Sequence, residues 1–168
     1  ERIPGCSVAA SAQALAEVTD LVFITTPDAV IHQVCAEVAW RPDQGVVHCC
    51  GAVSRGILDS AAPRQAQTGA FHPFQTLAGL KDPAEAGARL TGVSFAVEGD
   101  GWLADLLPQM AQDLGGRAVV IPEGDRPLYH ASAVLACAHL AALMHGAVTL
   151  WERMGYDSGD ALEALYPL

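Results

Sequence analysis

The sequence predicts an α/β fold: a mostly parallel sheet wound with helices, followed by an all-helical segment. Three observations carry this. Short apolar runs alternate with helix-period patterns up to Pro122, as in a doubly wound sheet. The run Leu21 to Ile24 has no polar alternation, which suits a strand buried on both faces. From Pro127 to about Arg153 the pattern is helical with no turn signal before Gly146, and it is apolar most of the way round.

Taken in order, Arg2 to Ser7 is a short lead-in, Cys6 to Ala9 reads as the end of a strand, and Ser11 to Val18 as a weak helix with Leu15 and Val18 inward. After the strand Leu21 to Ile24, Thr26 suits a helix N-cap, Pro27 the first helical position and Asp28 the positive end of the dipole. Val30, Ile31, Val34, Cys35 and Val38 then share one face. Gly45 to Cys50 is a second strand, Ser54 to Ala61 a short helix closed by Pro63, and Thr68 to His72 a third strand ending at Pro73. One helical turn fits Ala84 to Arg89, and Gly92 to Glu98 alternates as a strand. Gly101 to Leu114 is amphipathic, with Leu103, Leu106, Leu107, Met110 and Leu114 inward, and Gly115-Gly116 stops it. Arg117 to Ile121 is the last strand. Gly155 caps the long helix, and Asp157 to Leu165 is a further short one. The reading divides the chain into a sheet domain, residues 1–122, and a helical segment, residues 123–168.

Composition narrows the function. A hydrophobic content of 51% supplies a large core, and the net charge of -10 argues against nucleic acid or an anionic membrane surface as partner. Five cysteines without a C-x-x-C pair suit a reducing, cytoplasmic setting. Ala131 to Trp151 is long enough to cross a bilayer. It carries Ser132, His139, His145 and Thr149, so it reads as a helix enclosed in a soluble protein, with no membrane partner. About two helices cannot make their own core, which favours a homodimer through this segment. The first residue is Glu rather than Met, so the chain is expected to start inside a longer protein.

Four stretches, LVFITTPDAVI, VVHCCGAV, GAFHPFQTL and DRPLYHASAVLACAHLAAL, occur in that order from Leu21 onward. The order resembles the predicted NADP-dependent oxidoreductases that join a Rossmann-like domain to an uncharacterised helical C-terminal domain. These are distant relatives of pyrroline-5-carboxylate, ketopantoate, prephenate and 6-phosphogluconate reductases and dehydrogenases. The resemblance runs from about Ala9 to Leu168. It implies a reductase or dehydrogenase using NADP, with NAD as the other choice, on a small keto, hydroxy or imino acid-like substrate. The dinucleotide fingerprint G-x-G-x-x-G is absent, so an incomplete Rossmann-like sheet is expected, with its first strand, Gly-rich turn and first helix upstream of Glu1. A C-terminal continuation is implied as well. The chain departs from the family at Cys49-Cys50, at Arg126 where Lys is usual, and at His139 where Asn is usual. These departures sustain a second reading, a non-catalytic dinucleotide- or metabolite-binding protein. A third is a pure assembly module.

In an open α/β sheet, ligands bind at the carboxyl edge of the strands. Thr25, Thr26, Pro27 and Asp28 would therefore lie along the cofactor, and Cys50 and Gly51 near its nicotinamide. Cys49 reads as a buried small hydrophobe. His72, given a fixed direction by Pro73, could bind a substrate carboxylate or transfer a proton. Where the resemblance implies an acid Lys, Arg126 keeps its proton and suits a carboxylate anchor. His130, four residues on and on the same helix face, is the acid candidate, with His72 the alternative. His139 lies nine residues beyond His130, on the opposite face of a regular helix at about 100° per residue. His48, Cys50, His72 and His130 have no zinc-motif spacing, so no metal is expected.

Overall fold

A computed structural model describes residues 5–77, 79–122 and 124–168. The chain forms two compact units, Glu1–Tyr129 and His130–Leu168.

The first unit is built on one sheet in the order β1-β2-β3-β4-β5: β1 Leu21–Ile24, β2 Gly45–His48, β3 Gln67–Pro73, β4 Ser94–Gly99 and β5 Arg117–Val120. All neighbouring pairs are parallel except β3 with β4. The register aligns Ile24 with His48, His48 with Ala70, and Ala70 with Glu98. Paired residues project to the same face, so these four form one row across the sheet. On that face Val22, Ile24 and Val46 pack with Ala16, Ile31, Cys35, Leu58 and Ala61. On the other, Val47, Phe71, Phe95 and Val97 pack with Leu103, Leu107 and Ala111. Burial on both sides explains the unbroken apolar strands in the sequence.

The helices are α1 Ala12–Glu17, α2 Ile31–Glu37, α3 Pro83–Ala88, α4 Leu103–Asp113 and α5 Arg126–Val134. Several expectations change here. Residues 6–9 have no regular structure, and the lead-in from Arg2 lies, through Pro4, outside the described residues. In α1 it is Ala16 that is buried, while Leu15 and Val18 face solvent. A six-residue helix has too short a face to bury more. Thr26 is not an N-cap: a 3-10 turn, Asp28–Val30, precedes α2, with Pro27 before it and no side-chain cap. Pro27 lacks an N–H, and the tighter turn is closed by the Val30 N–H to the Pro27 carbonyl and the Ile31 N–H to the Asp28 carbonyl. The segment after Ser54 is a 3-10 helix, Arg55–Arg64, that contains Pro63 rather than stopping before it. Leu114 lies just beyond α4 and is exposed, unlike Leu103 and Leu107.

In the second unit, a π-helical turn, Leu135–His139, joins α5 to α6, Leu140–Arg153, and α7 is Ser158–Leu165. The expected enclosed helix is instead open. Leu135, Leu140, Leu143 and Leu150 are all more than half exposed. The helix Arg126–Arg153 meets the length and composition of a membrane span, and only 6% of its most apolar window is buried. One long helix with a single short partner cannot cover an apolar surface on all sides.

Candidate functional site

The carboxyl ends of β1, β2 and β3 bring most of the sequence-derived candidates together. Thr25 to Asp28 leave β1, and Cys49 to Gly51 leave β2. The two edges lie close together, with the Asp28 side chain near enough to Cys50 to raise its thiol pKa. Burial pushes the Cys50 thiol up, and the Asp28 carboxylate holds its proton further. Burial pushes the Cys49 thiol to about 11. Neither cysteine is a ready thiolate, in keeping with Cys49 as a small hydrophobe. Thr26 Oγ1 is buried without a hydrogen-bond partner among the described residues. A ligand hydroxyl laid on this edge could satisfy it; Thr25, Thr26, Pro27, Asp28, Cys50 and Gly51 are the residues here that could line a bound cofactor.

His72 and Gly51 are in direct contact. A Cβ built on Gly51 would lie 2.7 Å from His72 Nε2 and 2.8 Å from Cε1. Glycine is required there by close approach, not by its backbone angles. On the other side of the ring, His72 Nδ1 is 2.9 Å from the Tyr129 hydroxyl. The two rings meet edge-on at 5.6 Å, and Phe74 covers Tyr129 at 4.8 Å. Burial pushes the Tyr129 phenol up to about 12, with the Arg126 charge pulling the other way. Tyr129 is thus a neutral phenol near pH 7.

Arg126 stands one helical turn before Tyr129 and is 4% exposed. Its Nη2 donates to Glu98 Oε2 at 3.3 Å, while Nε and Nη1 have no acceptor among the described residues. Glu98 also accepts the Arg55 N–H at 3.2 Å, and Arg55 Nη1 pairs with Asp100 at 2.6 Å. A buried guanidinium with two undirected donors is costly unless an acceptor meets them. A carboxylate matches that fork.

His48 is completely buried. Its Nδ1 accepts the Cys50 N–H at 3.1 Å, and Nε2 lies 3.1 Å from the Ser54 carbonyl. Burial lowers its pKa, the Ser54 bond opposes this, Arg126 lowers it further, and Glu98 and Asp28 raise it. His130 is the first residue of the second unit and is partly buried on α5. Among the described residues no group of His, Cys, Asp and Glu could hold a metal ion.

Tyr129, Glu98 and Arg55 were not singled out by sequence reasoning as parts of the site, and His48 was weighed only as a metal ligand. The partners of the first three lie far off in sequence, as His72 does from Tyr129, and no local pattern marks them. One further stretch, Gly99 to Ala104, reads G-x-G-x-x-A inside a parallel β4–α4–β5 unit. It is not a phosphate cradle. The Trp102 N–H is taken by Gln67 Oε1 at 2.7 Å, and a Cβ on Gly101 would overlap the Gln67 amide. The Asp100 carboxylate also accepts the Thr68 N–H at 2.7 Å beside this turn.

Residues 93–168 match the family described as a domain of unknown function, DUF2520. No curated protein matches the chain. Among solved structures, protein TM1727 from Thermotoga maritima is 24% identical, with a TM-score of 0.68 over 86% of this chain and 54% of that one. The 1-pyrroline-5-carboxylate reductase from Streptococcus pyogenes is 19% identical, with a TM-score of 0.66 over 95% of this chain and 57% of that one. A reductive aminase from Aspergillus terreus, in complex with NADPH4, cyclohexanone and allyl amine, is 16% identical, with a TM-score of 0.72 over 97% and 56%. The chain spans just over half the length of these structures. The likeness is one of fold, a Rossmann-like sheet followed by helices, as the sequence resemblance implied.

Proposed function

We propose that this chain is the larger part of an NAD(P)H-dependent reductase or dehydrogenase acting on a small keto, hydroxy or imino acid. The observation that carries this reading is the Arg126 guanidinium, buried beside the His72–Tyr129 pair with Nε and Nη1 lacking an acceptor among the described residues. A substrate carboxylate would take Arg126 Nε and Nη1 in a two-bond fork. When bound along Thr25 to Asp28, Cys50 and Gly51, the dinucleotide supplies the hydride. The heteroatom of the substrate needs a proton as the carbon is reduced. As an imidazolium, His72 donates Nδ1–H to the Tyr129 hydroxyl and carries a second proton on Nε2, on the side of Gly51. His72 is then the acid, and His130, one turn beyond Arg126 in sequence, is the competing candidate.

NADP is preferred over NAD, following the sequence resemblance. The cysteines are all free among the described residues, which suits a reducing cytoplasm. The exposed leucines of the second unit favour a homodimer formed through α6. Light scattering should give a dimer, and flotation with neutral lipid vesicles should leave the protein unbound. Vesicle binding would assign the helix to a bilayer instead.

The test is enzymatic, in the full-length protein. NADPH fluorescence titration should show binding, and a panel of 2-keto acids and cyclic imines should show turnover. His72→Gln should lower kcat by about a hundredfold, and Arg126→Lys should mainly raise KM. If His130→Gln rather than His72→Gln lowers kcat, the acid lies on α5. NADPH binding without turnover would favour the metabolite-binding reading, and no binding the assembly module.

A further inference from the structure

A single buried side chain controls the turn that faces His72. His48 closes β2, and its two ring nitrogens hold the two ends of the next segment, the Cys50 N–H and the Ser54 carbonyl. Nδ1 must accept, because its partner is an amide N–H. The ring proton therefore sits on Nε2 and is donated to Ser54. An imidazolium has no lone pair for Cys50 and could not make this pair of bonds. Between the two anchors lies Gly51, whose backbone packs against the His72 ring. Protein packing is close enough that a shift of the turn cannot be absorbed without moving that ring. Tyr129 meanwhile fixes the ring from Nδ1.

We propose that His48 is a positioning residue: by clamping Cys50 and Ser54 it holds the Gly51 backbone against the His72 ring and so fixes where that ring stands. This deepens the functional reading above and rests on it where turnover is concerned. The clamp itself does not. Asparagine can keep the acceptor near Nδ1 without the donor to Ser54, whereas glutamine can reach Ser54 but not the Cys50 N–H.

The experiment is nitrogen-15 NMR and amide hydrogen exchange on this chain. In the unaltered protein the His48 ring should be neutral, with the proton on Nε2, at pH 7. His48→Gln should speed exchange of the Cys50 amide at least tenfold and shift the His72 ring resonances, with the Val46 and Phe95 amides unchanged. His48→Asn, which keeps the Cys50 anchor alone, should restore the Cys50 readout and recover part of the His72 shift. The proposal is overturned if His48 carries its proton on Nδ1 or is an imidazolium. It is equally overturned if Cys50 exchange and the His72 resonances ignore His48→Gln in a folded chain. Should the variants fail to fold, the ring tautomer of the unaltered protein still decides. Kinetics of the full-length protein separate the two readings. Loss of turnover in His48→Gln with rescue in His48→Asn supports both. An intact His72→Gln enzyme removes the reductase role of His72 while exchange and ring shifts judge the clamp alone.

Discussion

Gly51 has no room for a side chain. Gly51→Ala places a methyl 2.7 Å from His72 Nε2, so the ring or the turn must move. We expect a loss of about 1–3 kcal/mol in urea unfolding. In a His72→Ala background the same change should cost little, because the ring it collides with is gone. Acid should weaken the neighbouring clamp. The His48 pKa lies below its ordinary 6.5 through burial, so the folded chain binds fewer protons than the unfolded one. That contribution is complete above about pH 6.5 and is lost as pH falls through the depressed folded value. Arg126 acts in the same direction, and Glu98 and Asp28 against it. Unfolding free energies at about pH 7.5 and about pH 5.5 should differ more for the unaltered chain than for His48→Asn.

Elements differ in how much of themselves the sequence revealed. The strands were legible because both faces are buried, and an apolar run such as Val46-Val47 then has no competing interpretation. The sheet side facing α4 depends on Phe95, 1% exposed and stacked on Phe71 at 4.8 Å. Phe95→Ala should cost about 3–5 kcal/mol in chemical unfolding. The segment Arg55–Arg64 was read as a short helix closed by Pro63, but it runs past that proline, and its type stayed open because a Ser54 cap is common to α- and 3-10 helices. The π turn Leu135–His139 left no trace in the sequence, since one extra residue in a long apolar helix changes no local preference. It has a geometric effect. His139 no longer stands about 180° from His130 but roughly 80°, and its Nδ1 lies 3.2 Å from the Val134 carbonyl. Deleting Ala138 should restore a regular helix with unchanged circular dichroism. A spin label replacing His139 should then lie farther from one at His130.

At the scale of the molecule, the candidate site was half legible. His72, Cys50 and Gly51 could be placed because strand ends in a parallel sheet share one edge. Tyr129, Glu98 and Arg55 could not, because only folding sets α5 and the Arg55–Arg64 segment beside that edge. Arg126 was legible as a cation but not as a buried one tied to Glu98. Arg126→Ala should therefore weaken substrate binding while changing the stability of the first unit little, because the burial cost of the guanidinium offsets its bond to a Glu98 that keeps Arg55. The second unit behaves differently. Its long helix carries most of its leucines outward, so its thermal transition should rise with protein concentration, as expected when association and folding are linked.

The position of β1 has a consequence for how the chain behaves on its own. β1 is bonded to β2 alone among the described strands, so one side of its backbone ladder is open. Open ladders recruit strands. An added extended segment would gain main-chain bonds and cover the partly exposed Leu21 and Phe23. An extended segment paired there would complete the open side of β1. In hydrogen exchange, the β1 amides facing away from β2 should be fast until such a segment is supplied, and those of β2, bonded on both sides, slow throughout.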